Sequence, residues 1–259
     1  MTIKIGMLDI ETAPILGAVW SLWQQNVGLN QIERDWYILS YAFKWLGDTK
    51  VHYRDKRKSW DNEDDRELLD DLWKLLDEAD VIVAQNGVRF DSKKINARFI
   101  LNGYPPPSPY KIVDTMLQAK ACFGFTSNKL EYMTDKLCSA KKLKHNEYPG
   151  YELWKACLTG DQKAWRCMKK YNVRDITSME ELYLIMLPWI KGHPNYGLYV
   201  NPDAPCCNRC GSEDIEKRGT YLTDVGRYQR YRCNGCGGWL RGRVLLNTAE
   251  QRRQLLTGV

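Results

Sequence analysis

Met7-Leu8-Asp9-Ile10-Glu11-Thr12 closes an apolar run, with Ile3 and Ile5 before it, that reads as a buried strand. Side chains alternate between the faces of a strand, so Asp9 and Glu11 point the same way while Ile10 points into the core. Two carboxylates held side by side repel each other unless a cation lies between them, and hard divalent cations take oxygen ligands. The plainer reading is an acidic strand terminus solvated by water. Further carboxylates arriving from elsewhere in the chain would decide between the two.

Outward from this strand, Thr12 to Ile32 carries no charged residue. Ser21, Gln24, Gln25, Asn26, Asn30 and Gln31 make the stretch too polar to span a bilayer, and no signal peptide precedes it. A cytoplasmic protein with no membrane partner is expected. Trp20 and Trp23 fall in this stretch, read as a loop and short helix near Asp9 and Glu11. Tyr37 to Trp45 is rich in β-formers and reads as a strand, with Lys50 to Tyr53 as its neighbour. Asp61 to Ala79 is the clearest helix, with Leu68, Leu69, Leu72, Trp73, Leu75 and Leu76 in one stripe.

Val81 to Ala84 is a short buried strand leading into Gln85-Asn86-Gly87-Val88-Arg89-Phe90-Asp91. A helix from about Ser92 to Leu101 is stopped by Asn102-Gly103 and Pro105 to Pro107. Lys111 to Asp114 gives one more strand and Asn128 to Cys138 a helix. A basic connector, Lys141 to His145, precedes a helix over Tyr151 to Leu158. Thr159-Gly160-Asp161 reads as a helix stop followed by an N-cap, and a long helix then runs to about Leu187, ended by Pro188. Strands first, helices interspersed and late, predict an α/β domain around a mixed sheet, with no internal repeat.

Two later acids have suitable settings. Asp91 lies just past a buried strand, where ligand sites form in open α/β sheets, although Asp before Ser-Lys-Lys also suits a helix N-cap. Asp175 and Tyr171 are four apart in the long helix and share a stripe with Met168, Asn172 and Ser178. A carboxylate on a buried stripe is costly unless paired or metal-bound; Arg174 or Lys170 could supply the pairing.

In order, spacing and setting, Asp9-x-Glu11, Asn86 through Phe90-Asp91, and Tyr171-x-x-x-Asp175 resemble the DEDD superfamily of 3′–5′ exonucleases, in its tyrosine-bearing (DEDDy) branch. Residues 1–190 are most similar to the proofreading exonuclease domains of family B DNA polymerases and to stand-alone phage-type relatives. The resemblance implies a ribonuclease H-like fold. It also implies two Mg²⁺ or Mn²⁺ ions held by Asp9, Glu11, Asp91 and Asp175, one activating a water and the other stabilising the leaving 3′ oxygen. The same pattern gives Tyr171 the attacking water; a phenol, with a free pKa near ~10, orients better than it deprotonates. Thr12, Asn86 and Phe90 would line the pocket of the terminal nucleotide. The histidine-bearing branch is disfavoured, since His52, His145 and His193 all lie away from the helix of Asp175. Too few residues follow for a polymerase, so proofreading within one chain is not expected. Phage-type kinship would place the protein in a bacterial host cytoplasm.

The C-terminal part differs in character. The net charge is +6, and from residue 204 onward ten Lys/Arg face five Asp/Glu, so the surplus sits mostly in the tail. That balance suits a polyanion partner, though it also suits a basic surface kept for solubility. Of nine cysteines, Cys122, Cys138, Cys157 and Cys167 read as small buried residues of the body. After a linker at 191–205, Cys207-x-x-Cys210-Gly211 and Cys233-x-x-Cys236-Gly237 supply four thiolates for one structural Zn²⁺, in a zinc ribbon over 206–259. Cys206 is a second candidate for the first ligand, but the knuckle spacing favours Cys207. Between the pairs, Arg227, Tyr228, Arg230, Tyr231 and Arg232 interleave guanidinium groups and rings, with Trp239, Arg241 and Arg243 beyond. Such a strand can contact phosphates and stack bases, or its rings can form the small core of the ribbon.

The expected protein is a metal-dependent 3′–5′ exonuclease acting on single-stranded nucleic acid, DNA favoured over RNA, and releasing nucleoside 5′-monophosphates. Its ribbon would grip nucleic acid or a replication or repair protein. Two competitors remain, a nuclease-like recruitment protein without turnover and a structure-specific endonuclease on the same fold.

Overall fold

The computed structural model describes residues 2–141, 147–200 and 202–257. Of the basic connector expected over Lys141 to His145, only Lys141 falls among them. The chain divides into two compact units, Lys4–Tyr183 and a second that takes in Leu184–Val259.

The first unit opens with β1 (Ile5–Thr12), followed by a two-stranded ribbon of β2 (Leu16–Gly17) and β3 (Ile32–Arg34). Between them the expected short helix is a single 3₁₀ turn at Leu29–Gln31, and Trp20 and Trp23 stand in solvent, 95% and 83% exposed. β4 (Ile38–Trp45) and β5 (His52–Asp55) come next, then α1 (Arg66–Glu78), β6 (Val81–Ala84), α2 (Asp91–Leu101) and β7 (Lys111–Asp114). α3 (Thr115–Cys122), α4 (Leu130–Leu137), α5 (Glu152–Leu158) and α6 (Gln162–Met186) complete it. α3 is absent from the sequence reading.

The five strands run in the order β5-β4-β1-β6-β7. β1 is antiparallel to β4 and parallel to β6, and β6 is parallel to β7, which makes the sheet mixed. Leu8 and Ile10 of β1 pack with Leu68, Leu69, Leu72 and Leu76 of α1 and with Ile95 and Phe99 of α2. A second apolar cluster joins Leu39 of β4 to Leu153 of α5 and to Trp165 and Met168 of α6. This is the expected α/β architecture, ribonuclease H-like, with helices flanking a central mixed sheet.

α1 starts five residues later than its acidic lead predicts. Lys56, 1% exposed, gathers the preceding loop by donating to Asn62 Oδ1 at 3.0 Å and to the carbonyl of Asp64. Asp65, fully buried, accepts from the Ile38 amide at 2.9 Å and from Nη2 and Nε of Arg98 at 2.7 and 2.8 Å. A buried carboxylate satisfied this way acts as a brace between β4, α1 and α2, and losing one partner would leave an unpaired charge.

In the second unit, a 3₁₀ turn at Leu187–Trp189 carries the helix-stopping Pro188, and α7 (Gly197–Val200) follows. β8 (Ile215–Leu222), β9 (Arg227–Cys233) and β10 (Trp239–Leu245) form an antiparallel three-stranded sheet in the order β10-β9-β8, and α8 (Ala249–Gln254) ends the chain. No helix among the described residues is long and apolar enough to cross a membrane.

Candidate functional site

Asp9 and Glu11 lie two apart on β1, opposite Ala42 and Ser40 of β4. The pairing shifts register between Glu11 and Thr12, so the strand breaks its regular ladder just past the second acid. Between the two acids, the amide of Ile10 donates to Asp91 Oδ1 at 3.1 Å. Asp91 is therefore tied to the backbone of the first motif. It is the first residue of α2 and not its cap, which is Phe90. Burial raises the Asp91 carboxyl to about 7, opposed by the Ile10 hydrogen bond and assisted by the charge of Asp114.

The last motif arrives on α6. Asn172, fully buried, accepts from Ser40 Oγ at 3.2 Å and donates to the Asp9 carboxylate. Asp175, one helical turn from Tyr171, is 3% exposed. Arg174, beside it on α6, directs Nε to the carbonyl of Lys141 at 2.9 Å. The Tyr171 ring meets Trp154 of α5 edge-on, with centroids 6.2 Å apart, which fixes its plane.

Asp9, Glu11, Asp91, Tyr171 and Asp175 all line one cleft of about 360 Å³. Asn86 and Phe90 line it too, whereas Thr12 does not. Neither His52 on β5 nor His193, in the second unit, lies on α6. Lys129 and Glu131 add a cation and a fifth carboxylate to the walls, neither singled out by the sequence reading. Four carboxylates, Asp9, Glu11, Asp91 and Asp175, converging on one cleft are the donor set that suits hard divalent cations, so the residues fit such ions.

Asp114 is the most consequential omission. Only 3% exposed, it accepts from the amides of Asn86 and Val88 at 3.1 and 3.2 Å and from those of Met116 and Leu117 at 3.0 and 3.1 Å. One carboxylate thus caps α3 and holds the loop that leads to Asp91. Asn86 is bent into the left-handed region, φ 62°, a conformation that asparagine tolerates better than most residues. A buried acid at the end of a strand was the available signal.

In the second unit, the sulfurs of Cys207, Cys210, Cys233 and Cys236 all lie within 4.8 Å of one another. The Cys207–Cys236 and Cys210–Cys233 separations are 3.7 and 3.6 Å. A thiolate tetrahedron around zinc, with Zn–S near ~2.3 Å, has edges of about 3.8 Å. The cluster therefore fits the ion. The amides of Arg209 and Cys236 donate to the sulfurs of Cys207 and Cys233 at 3.5 and 3.4 Å. Gly211 and Gly237 close the two knuckles at φ 75° and 78°, where a side chain would be strained. Cys206 stands outside the cluster.

The basic strand β9 is split by its register. Tyr228, Arg230 and Arg232 share one face, while Arg227 and Tyr231 share the other with Cys233. The sequence reading allowed one face to pack and the other to bind but named all five as contacts, because interleaved residues cannot be assigned to faces without strand partners.

Sequence comparison matches residues 18–187 to a family model described as RNase_H superfamily. That span includes Asp91, Tyr171 and Asp175 and begins after Asp9 and Glu11. Among solved structures, the family B DNA polymerase from the hyperthermophilic archaeon Pyrobaculum calidifontis is similar in fold, with a TM-score of 0.52 and 17% identity. The likeness covers 73% of this chain and 25% of the polymerase, so the chain spans about a quarter of its length. No curated protein matches the sequence.

Proposed function

The chain belongs to the RNase H superfamily, and from that premise we propose that it is a divalent-metal-dependent 3′–5′ exonuclease of the DEDDy type. Its substrate is single-stranded nucleic acid, DNA before RNA, and its products are nucleoside 5′-monophosphates. The observation that carries this reading is the convergence of Asp9, Glu11, Asp91, Asp175 and Tyr171 on one cleft from β1, α2 and α6. Likeness to the fold of a DNA polymerase supports the DNA preference.

Asp9, Glu11, Asp91 and Asp175 would hold two Mg²⁺ or Mn²⁺ ions, which supply an acidified water and charge stabilisation at the departing 3′ oxygen. The protein's own part is positional. Asn172 holds the Asp9 carboxylate from behind, and the Ile10 amide fixes Asp91. Tyr171, set by Trp154, directs its phenol at the water that attacks phosphorus. That attack forms one P–O bond as the P–O3′ bond breaks, and the released 3′ oxygen takes a proton. Phe90, 36% exposed on the cleft wall, offers a ring face to the terminal base. The four-cysteine unit is a zinc ribbon whose ion holds structure and takes no part in hydrolysis.

A time course on 3′- and 5′-labelled DNA and RNA strands tests the proposal, with and without Mg²⁺. Stepwise shortening from the 3′ end that disappears in Asp9→Ala and Asp175→Ala is expected. Digestion of circular or 3′-blocked strands would instead identify an endonuclease, and binding without turnover a recruitment protein.

A further inference from the structure

Arginine and lysine are distributed unequally along this chain. Up to residue 203 there are 8 Arg and 20 Lys; from residue 204 onward there are 9 Arg and 1 Lys. Solubility alone does not ask for that exchange, since lysine is the more strongly hydrated cation. Arginine adds a planar group that binds phosphate through two N–H donors and stacks on rings.

Strand pairing gathers seven side chains on one face of the three-stranded sheet, six of them basic or aromatic. The seventh is Glu216, which lies opposite Arg232 and is ion-paired with Arg218 at 2.9 Å. Tyr221 lies opposite Tyr228, Arg230 opposite Arg241, and Arg232 opposite Trp239. The Arg241 guanidinium sits 4.4 Å from the Tyr228 ring centre and 5.5 Å from that of Tyr221, and Arg230 sits 5.1 Å from that of Trp239. Tyr221 and Trp239 remain 45% and 52% exposed, so the rings do not form a closed core. None of Arg230, Arg232 and Arg241 is ion-paired among the described residues. Like charges set directly across strands are destabilising. Arg230 and Arg241 keep that arrangement, offset by the ring faces and by the hydrogen bond that Arg230 Nε donates to the Arg218 carbonyl at 2.8 Å.

We propose that this face, with Arg230, Arg232 and Arg241 as phosphate contacts and Trp239 and Tyr221 as stacking platforms, is a binding surface for single-stranded nucleic acid. Arg230 and Arg232 are two residues apart, about 7 Å along the strand. That spacing suits successive phosphates of an extended strand, whose unpaired bases can reach the rings beside them. An acidic protein would use the charge but not the stacked planes. The surface works by binding alone and does not depend on turnover in the cleft.

The test uses the full chain and a fluorescent oligothymidylate in Ca²⁺, titrated at several salt concentrations. Each phosphate contact on a single strand contributes about 0.7 to the slope of log affinity against log salt. R230A/R241A should flatten that slope by about 1.4, whereas R227A on the opposite face should leave it unchanged. W239A should weaken binding about tenfold at an unaltered slope. Zinc content and the ribbon's melting transition, equal in all variants, exclude loss of fold. An unaltered slope in R230A/R241A, the same loss in R227A, or competition by polyglutamate as strong as by the oligonucleotide would overturn the proposal. Binding with these properties in a chain that never shortens a 3′-labelled strand would remove the nuclease reading and leave this one standing.

Discussion

Asn172 on α6 donates a side-chain N–H to the carboxylate of Asp9 on β1, across 163 residues of chain. Its carbonyl oxygen meanwhile accepts from Ser40 on β4. An amide that donates at one end and accepts at the other ties three elements at the point where two acidic motifs meet. Asn172→Leu keeps the volume but strips the partner from a buried hydroxyl and from Asp9. A loss of roughly 1–3 kcal/mol in urea unfolding is expected, together with at least a tenfold fall in Mg²⁺-dependent hydrolysis. Stability and turnover both equal to wild type would show that Asp9 needs no such support.

Asp114 should be the costliest acid to remove outside the cleft. Four backbone amides converge on it, two from the Asn86 loop and two from α3. Asp114→Ala leaves them without their acceptor, at roughly 1–3 kcal/mol each for those that stay unsatisfied. Asp114→Asn retains one acceptor oxygen and should recover part of the loss. Hydrogen exchange should rise first at 86–90, the loop that leads to Asp91. Protection there equal to wild type in Asp114→Ala would refute the bracing role.

β1, the apolar stripe of α1 and the long α6 are legible because each writes its burial into a local period, and the two C-x-x-C-G knuckles because a four-thiolate site constrains their spacing. The rest depends on partners far away in sequence. Asp91 looks like a helix cap until the Ile10 amide is seen at its oxygen, and Asp114 looks like the end of a strand until four amides surround it. α1 begins late because Lys56, from another segment, gathers the loop before it. Likewise, only the pairing of β9 with its neighbours separates Arg230 and Arg232 from Arg227 and Tyr231.

Burial gives Asp91 an unusual pH signature. Its carboxyl is raised to about 7 in the fold, against roughly 3.9 in an unfolded chain. Between those values the native state binds more protons than the unfolded state, so stability without divalent ions falls as pH rises, by up to roughly 1.4 kcal/mol per pH unit. Above about 7 both states are ionised and the slope ends. Bound Mg²⁺ competes with that proton, so its stabilising effect should grow from pH 5 to pH 7 and then level off. Melting temperatures over pH 5–8, with and without Mg²⁺, for wild type and Asp91→Asn isolate the effect. Parallel pH profiles for the two proteins would assign the shift elsewhere.

Zinc should matter to one unit only. The four sulfurs that approach within 4.8 Å would repel one another as thiolates without an ion between them, and β8–β10 offer few buried apolar side chains in compensation. The unit Lys4–Tyr183 has its own two apolar clusters and contains none of these cysteines. Cys207→Ser/Cys233→Ser is expected to reduce bound zinc from one ion per chain to none, measured by atomic absorption. Hydrogen exchange should then rise throughout 207–245 and stay at its wild-type level in β1, β6 and α6. Cys206→Ser should retain the full ion, because its sulfur lies outside the cluster. Zinc loss in Cys206→Ser equal to that in the double variant would exchange Cys207 for its neighbour as the first ligand. Protection lost equally from β1 and α6 would mean that the body depends on the metal as much as the ribbon does.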